Sequence, residues 1–177
     1  MDFGCRKAHP RRYPIFPRMA EPSSSPLAPI VFRPLRADEA DEACKLARDV
    51  FDRFIAPTQE EKCRQLFHRY AQPEQLIHRH TTRYTSWVAA TGSQLIGLLH
   101  IHACNHIAML FVIPELQNHH CGTELIQTAM KAGALRPPLT VNSSPNADRF
   151  YAKLGFLADG LPQTVKGVRF HPMRLAQ

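Results

Sequence analysis

The sequence predicts a mixed α+β fold, because its apolar pattern changes period along the chain. Residues 38–80 repeat apolar side chains every three to four positions, as helices buried on one face do. Residues 86–112 instead run in short, strand-length blocks separated by polar turns. Beyond Gly122 helical and strand patterns alternate singly, so the expected order is β, helices, β-β-β, α, β, α, β.

Each element has its own signal. Residues 30–35 alternate apolar and polar side chains, a first strand. Asp38 is positioned to cap the following helix, whose stripe of Ala43, Leu46, Ala47, Val50, Phe51 and Phe54 spans one face. Pro57 stops it, and Thr58 with Glu61 forms a capping-box pattern for a second helix bearing Cys63, Leu66, Phe67 and Tyr70. A third helix starts at Pro73, with Leu76 and Ile77 expected inward. Residues 86–90, 95–102 and 106–112 read as a meander, broken by turns at 91–93 and 103–105. A helix over 122–132 closes at Gly133, residues 139–142 form a strand, a helix over 146–154 stops at Gly155, and 168–174 is the last strand.

At 177 residues the chain is one domain by size. No apolar run reaches the ~18 residues of a membrane span, so no membrane partner is expected. Five cysteines without close metal-ligand spacing fit reduced thiols in a cytoplasm, and no metal is expected. Of the net charge of +7, Arg6, Lys7, Arg11, Arg12 and Arg18 supply most, opposed nearby only by Asp2. A nucleic-acid partner would rest on that tail alone and is not expected. Residues 1–28 are Pro- and Ser-rich and too polar to order themselves, leaving residues 29–177 as the folded domain. Met19 opens a second plausible start, which would make residues 1–18 dispensable.

The strand 106–112 runs into Gln117-Asn118-His119-His120-Cys121-Gly122-Thr123 and then a helix. Such a helix start offers unpaired N–H groups and the positive dipole end, which suits a pyrophosphate. Tyr151 follows 29 residues after Gly122, within Phe150-Tyr151 and then Gly155-Phe156. The two segments together resemble the acetyl-CoA half of the GNAT superfamily of N-acetyltransferases, in a bacterial subgroup. The resemblance covers residues 30–177 and is strongest over 105–156. It implies a mostly antiparallel sheet of about six to seven strands flanked by about four helices. A splayed central strand pair would hold acetyl-CoA as cosubstrate.

Carried over residue by residue, the resemblance implies that Phe111 and Val112 give backbone amides to the pantetheine. Residues 117–123 would cradle the pyrophosphate. His120 stands where glycine is usual, but histidine enters the left-handed backbone region more readily than most residues. Ser144 occupies the usual place of a pantetheine-contacting Asn, with Asn142 and Asn146 on either side. Phe150 is a candidate contact with core packing as its plainer role. Tyr151 would protonate the leaving thiolate, since a phenol of pKa near 10 can give a proton to a thiolate of ~8.5 within hydrogen-bond reach.

The attacking amine must be neutral, so a base is needed, and His106 at the head of the central strand is the first candidate. His100 and His102 share a strand face and read as solvent-facing. Cys121 lies at a helix start, where a thiol pKa can fall, although the resemblance implies direct transfer without an acyl-cysteine. The acceptor pocket would lie among the helices of 38–80, whose Arg53, Arg64, Arg69, Arg79 and Arg83 would suit an anionic acceptor unless they face solvent. The expectation is therefore an acetyl-CoA-dependent N-acetyltransferase acting on an amine acceptor, with a homodimer left open. The alternative is an inactive module of the same fold that binds CoA weakly, favoured by His120 and Ser144.

Overall fold

The structure is a computed structural model and describes residues 28–177. The expectations for the N-terminal basic segment and for Met19 fall outside the described residues.

Eight strands form the sheet: β1 (Ile30–Pro34), β2 (Tyr84–Thr91), β3 (Gln94–His102), β4 (His106–Val112), β5 (Leu139–Ser143), β6 (Leu157–Ala158), β7 (Gln163–Val165) and β8 (Val168–Leu175). Their order is β1-β2-β3-β4-β5-β8-β6, with β7 on β8. Five α-helices accompany them: α1 (Ala40–Phe54), α2 (Glu61–Tyr70), α3 (Pro73–His80), α4 (Cys121–Lys131) and α5 (Asp148–Lys153). All pairings are antiparallel except β4 with β5. The mixed α+β fold is therefore as the sequence predicts. The short β6 and β7 have no sequence expectation, because two or three exposed residues leave too little pattern to read.

Helices cover both faces. On one, Ala43, Leu46, Ala47, Val50 and Phe51 of α1 pack on Val88, Leu98, Met109 and Phe111. On the other, Leu125, Ile126 and Ala129 of α4 pack on Ala89, Leu99 and Ile101. Burial on both sides explains why β3 is apolar almost without alternation. Gly97 lets α4 sit close, since a Cβ there would meet Leu125 Cδ1 at 3.0 Å.

Three local expectations are corrected. Asp38 is exposed, and Glu39 is the organising acid: it accepts the Arg36 N–H (3.0 Å) and two Arg33 bonds (2.6 and 2.8 Å). Thr58 lies in a short 3-10 turn and donates to Ile55 O (2.9 Å), so α2 starts without the expected capping box. Ile77 is exposed because α3 turns only its Leu76 side to the core.

The feature that shapes the site is a slip in β4. Leu99 pairs with Leu110 and His100 with Met109, but Ile101 pairs with Ile107, leaving Ala108 as an extra residue. An extra residue bends a strand and changes which face its neighbours occupy. Accordingly Ile107 joins the α4 core while Met109, two residues on, joins the α1 core. At the same place β4 leaves β5: they pair only at His106 with Thr140 and Ile107 with Val141. β5 continues along β8 through Ser143, so a gap opens between the strands.

The β7–β8 hairpin hangs over one end of this region. Its turn uses Lys166 (φ 53°) and Gly167 (φ 82°), the left-handed pair a tight hairpin needs. Gln59 clamps it, donating to Arg169 O (3.2 Å) and accepting from Arg169 N–H (2.7 Å). Gly167→Ala should destabilise the protein by about 1–2 kcal/mol through the left-handed backbone, lowering the thermal midpoint by about 2–8 °C. An unchanged midpoint in a thermal melt would refute that requirement.

Candidate active site

The loop after β4 makes a 3-10 turn (Pro114–Leu116) and reaches α4 through two left-handed residues, Asn118 (φ 65°) and His120 (φ 61°). Asparagine and histidine enter this region more readily than most non-glycine residues, which keeps the cost modest. His120, the helix N-cap, makes no side-chain cap bond. The first backbone bond into α4 is Glu124 N–H to His120 O (2.9 Å). The N–H groups of Cys121, Gly122 and Thr123 are thus the helix's unpaired donors. His119 and His120 are exposed, so the histidine substituted for glycine is accommodated by the backbone.

Gln117 ties this loop to the parted strand, donating from Nε2 to Val112 O (3.0 Å). Gly122 is pressed against Phe150, whose Cζ a Cβ would meet at 3.2 Å. Phe150 therefore joins α4 to α5, in keeping with its plainer packing role. Cys121 departs from expectation. It is buried, and desolvation pushes its thiol up to about 11, the opposite of the fall a helix start can produce.

Tyr151 sits one turn into α5, packed edge-on against Phe150 and Phe156. Burial pushes its phenol well above 10, so it keeps its proton at neutral pH. It belongs to the same core as Ile107 and α4. Asn142 is exposed and Ser144 half-buried on the β5 side of the gap. Asn146 is engaged elsewhere, donating to Phe54 O (2.6 Å) and fastening the β5–α5 loop to the end of α1. His171 contacts Asp148 Oδ2, while Asp148 Oδ1 is buried without a partner among the described residues.

On the opposite face of the gap lies a void of about 420 Å³, within the usual range for small-ligand sites. Its floor is His106, Ile107 and Ala108 with Asn142 across the gap, its wall Tyr70 and Tyr84, and its roof the β7–β8 hairpin. His106 Nδ1 shares a hydrogen bond with the Thr140 hydroxyl (2.9 Å), and burial lowers its pKa. It is therefore neutral at pH 7, with Nε2 left over.

His100 overturns the solvent-facing expectation. It is 0% exposed, stacks on Tyr84 (4.6 Å, 6°), and bonds Ser86 Oγ through Nδ1 (2.8 Å). Arg79 Nε approaches its Nε2 at 3.4 Å, which makes Nδ1 the protonated nitrogen. The unbroken apolar run around it was the available signal, since a strand buried on both faces buries its histidine too. His102 instead remains half-buried beside Cys104. Among the described residues no group of three or more His, Cys, Asp and Glu could hold a metal. Nor do the helix arginines line the void: Arg64 pairs with Asp52, Arg53 lies over Phe54, and Arg79 is spread over Tyr70.

The parted parallel pair, the open helix start and the void thus lie around one strand gap. The Acetyltransferase (GNAT) domain family matches residues 54–177, and the chain belongs to that family. It is an acyltransferase, and acetyl transfer is its general activity. Several solved structures share the fold. A GCN5-related N-acetyltransferase from Rhodopseudomonas palustris is 22% identical with a TM-score of 0.70, covering 85% of this chain and 98% of that one. PaiA N-acetyltransferase from Thermoplasma acidophilum, in complex with coenzyme A, is 19% identical with a TM-score of 0.66, covering 82% and 98%. An aminoglycoside 6'-acetyltransferase type Ii is 15% identical with a TM-score of 0.61, covering 82% and 96%. No curated protein matches the sequence.

The buried titratable groups set an acid limb to stability. Desolvation pulls His100 down to about 3 from 6.5, so below 6.5 the unfolded chain binds a proton that the folded chain refuses. Stability should fall as pH drops from 6.5 toward 3, by up to ~1.4 kcal/mol per pH unit for one such group. His106 adds to this limb in the same direction. The Arg33 hydrogen bonds hold Glu39 at about 2 against an ordinary 4.5, so its contribution is present above 4.5 and lost toward pH 2. Denaturant unfolding followed by the single tryptophan, Trp87, should show His100→Asn reducing the slope between 6.5 and 4.5. Glu39→Gln should reduce only the slope below 4.5.

Proposed function

We propose that this protein transfers the acetyl group of acetyl-CoA directly to a primary amine, with CoA on the α4–α5 side of the strand gap and the amine in the void opposite. The observation that carries this is the parting of β4 from β5 after Ile107, with an uncapped helix start on one side and an open, partly apolar void on the other. Neither surface by itself argues for group transfer. A gap joining them lets a thioester carbonyl from one side meet a nucleophile from the other.

The pyrophosphate is assigned to the N–H groups of Cys121, Gly122 and Thr123, with Asn118, His119 and His120 as rim and Gln117 as the prop. Strand β4 past Ala108 has an edge free of β5, available to pantetheine and to the thioester oxygen. The amine nitrogen attacks the carbonyl carbon, and collapse of the adduct breaks the C–S bond. The departing sulfur takes the Tyr151 proton, while His106 or a water it holds accepts the amine's. Burial raises the phenol, and the same apolar surroundings raise the departing thiolate's proton affinity in the same direction.

Calorimetry with acetyl-CoA and a thiol-release assay test the reading together. Tyr151→Phe should lower turnover by roughly 10²-fold while acetyl-CoA affinity stays near its original value. Unchanged turnover would remove Tyr151 from the acid's role, and no acetyl-CoA binding at millimolar ligand would end the proposal.

A further inference from the structure

We infer that the acceptor is a small aromatic or apolar molecule bearing a single amine, held against Tyr70, Tyr84 and Phe170, and not a polycation. This rests on the transferase reading above and names the substrate class of its site.

The void's polar lining is sparse. His106, Asn142 and the two tyrosines are its polar members, and no Asp or Glu lines it. Val165, Val168 and Phe170 add apolar surface from the hairpin, on a side that stays open to solvent. An ammonium group there finds neutral acceptors and aromatic faces but no carboxylate to balance its charge. One amine can be taken in neutral form, but each further ammonium adds the same cost again.

The charge behind the wall has the wrong sign for polycations as well. Arg79 lies over the Tyr70 ring at 3.7 Å and donates to Tyr70 O (2.7 Å). Its guanidinium repels cations approaching from the other side of the ring. Glu60 abuts the hairpin tip at Gly167 and is outside the lining.

The wall is also tied to its surroundings by several contacts. Tyr84 is stacked on a buried His100 that Ser86 fixes, and Gln59 pins the roof strand. Flat rings and branched aliphatic side chains held in place favour a ligand with an aromatic or apolar body.

The test titrates 2-phenylethylamine, spermidine and kanamycin into the full chain by calorimetry, with and without acetyl-CoA, alongside thiol release with each amine. The expected result is saturable 2-phenylethylamine binding and a kcat/KM about 100-fold above that of either polycation. Phe170→Ala should raise its KM about tenfold with kcat largely kept, and Phe170→Leu should recover most of the loss. Val168→Asp, checked for folding by thermal melt, should shift preference toward spermidine. Spermidine or kanamycin binding as well as 2-phenylethylamine, or no saturable binding of the aromatic amine, overturns the inference. Failure of the transferase reading is distinguishable: acetyl-CoA would not bind, whereas the amine titrations would still report which body the void accepts.

Discussion

One extra residue, Ala108, governs this molecule. A strand in register keeps residues two apart on one face, yet Ile107 and Met109 belong to cores on opposite sides of the sheet. The bend that allows this coincides with the end of β4–β5 pairing. Each parted strand keeps its other neighbour, β4 along β3 and β5 along β8, so the gap costs few hydrogen bonds. A sheet interrupted at its centre without such partners would leave unpaired buried backbone on both edges, at several kcal/mol.

Around the gap, burial acts selectively on protonation. Tyr151 and Cys121 are pushed up and stay protonated, while His100 and His106 are pushed down and stay neutral. These four groups are thus uncharged, and Arg79, behind the void's wall, is spread over an aromatic face. Two left-handed non-glycine residues in the α4 loop are local strain of the kind that persists when surrounding contacts over-determine it. Here the contacts are the Gln117 bond to Val112 and the Phe150 ring against Gly122.

The two sides of the gap differ in how they are built. The α4–α5 side is assembled from residues close in sequence to the loop and to Tyr151. The void is assembled from α2, β2, β4, β5 and a late hairpin, which only the sheet brings together. Its roof depends on contacts between Gln59 and Arg169, over a hundred positions apart.

Local chemistry alone was enough to read the strand-loop-helix at His120 to Thr123, the helix bearing Tyr151, the α1 stripe and the change of period after Thr85. Each depends on side-chain spacing within a few turns, and each recurs in the structure at nearly the same bounds. His106 was legible as a strand-head histidine, but its neutrality follows from burial, which no local pattern reports. His100 was misread because a polar residue looks solvent-facing until both faces of its strand are known to be covered. The slip at Ala108, the hairpin roof and the charge behind Tyr70 were decided only by tertiary structure. Register and enclosure are relations between distant segments, and a one-residue offset between strands leaves no trace in the composition of either.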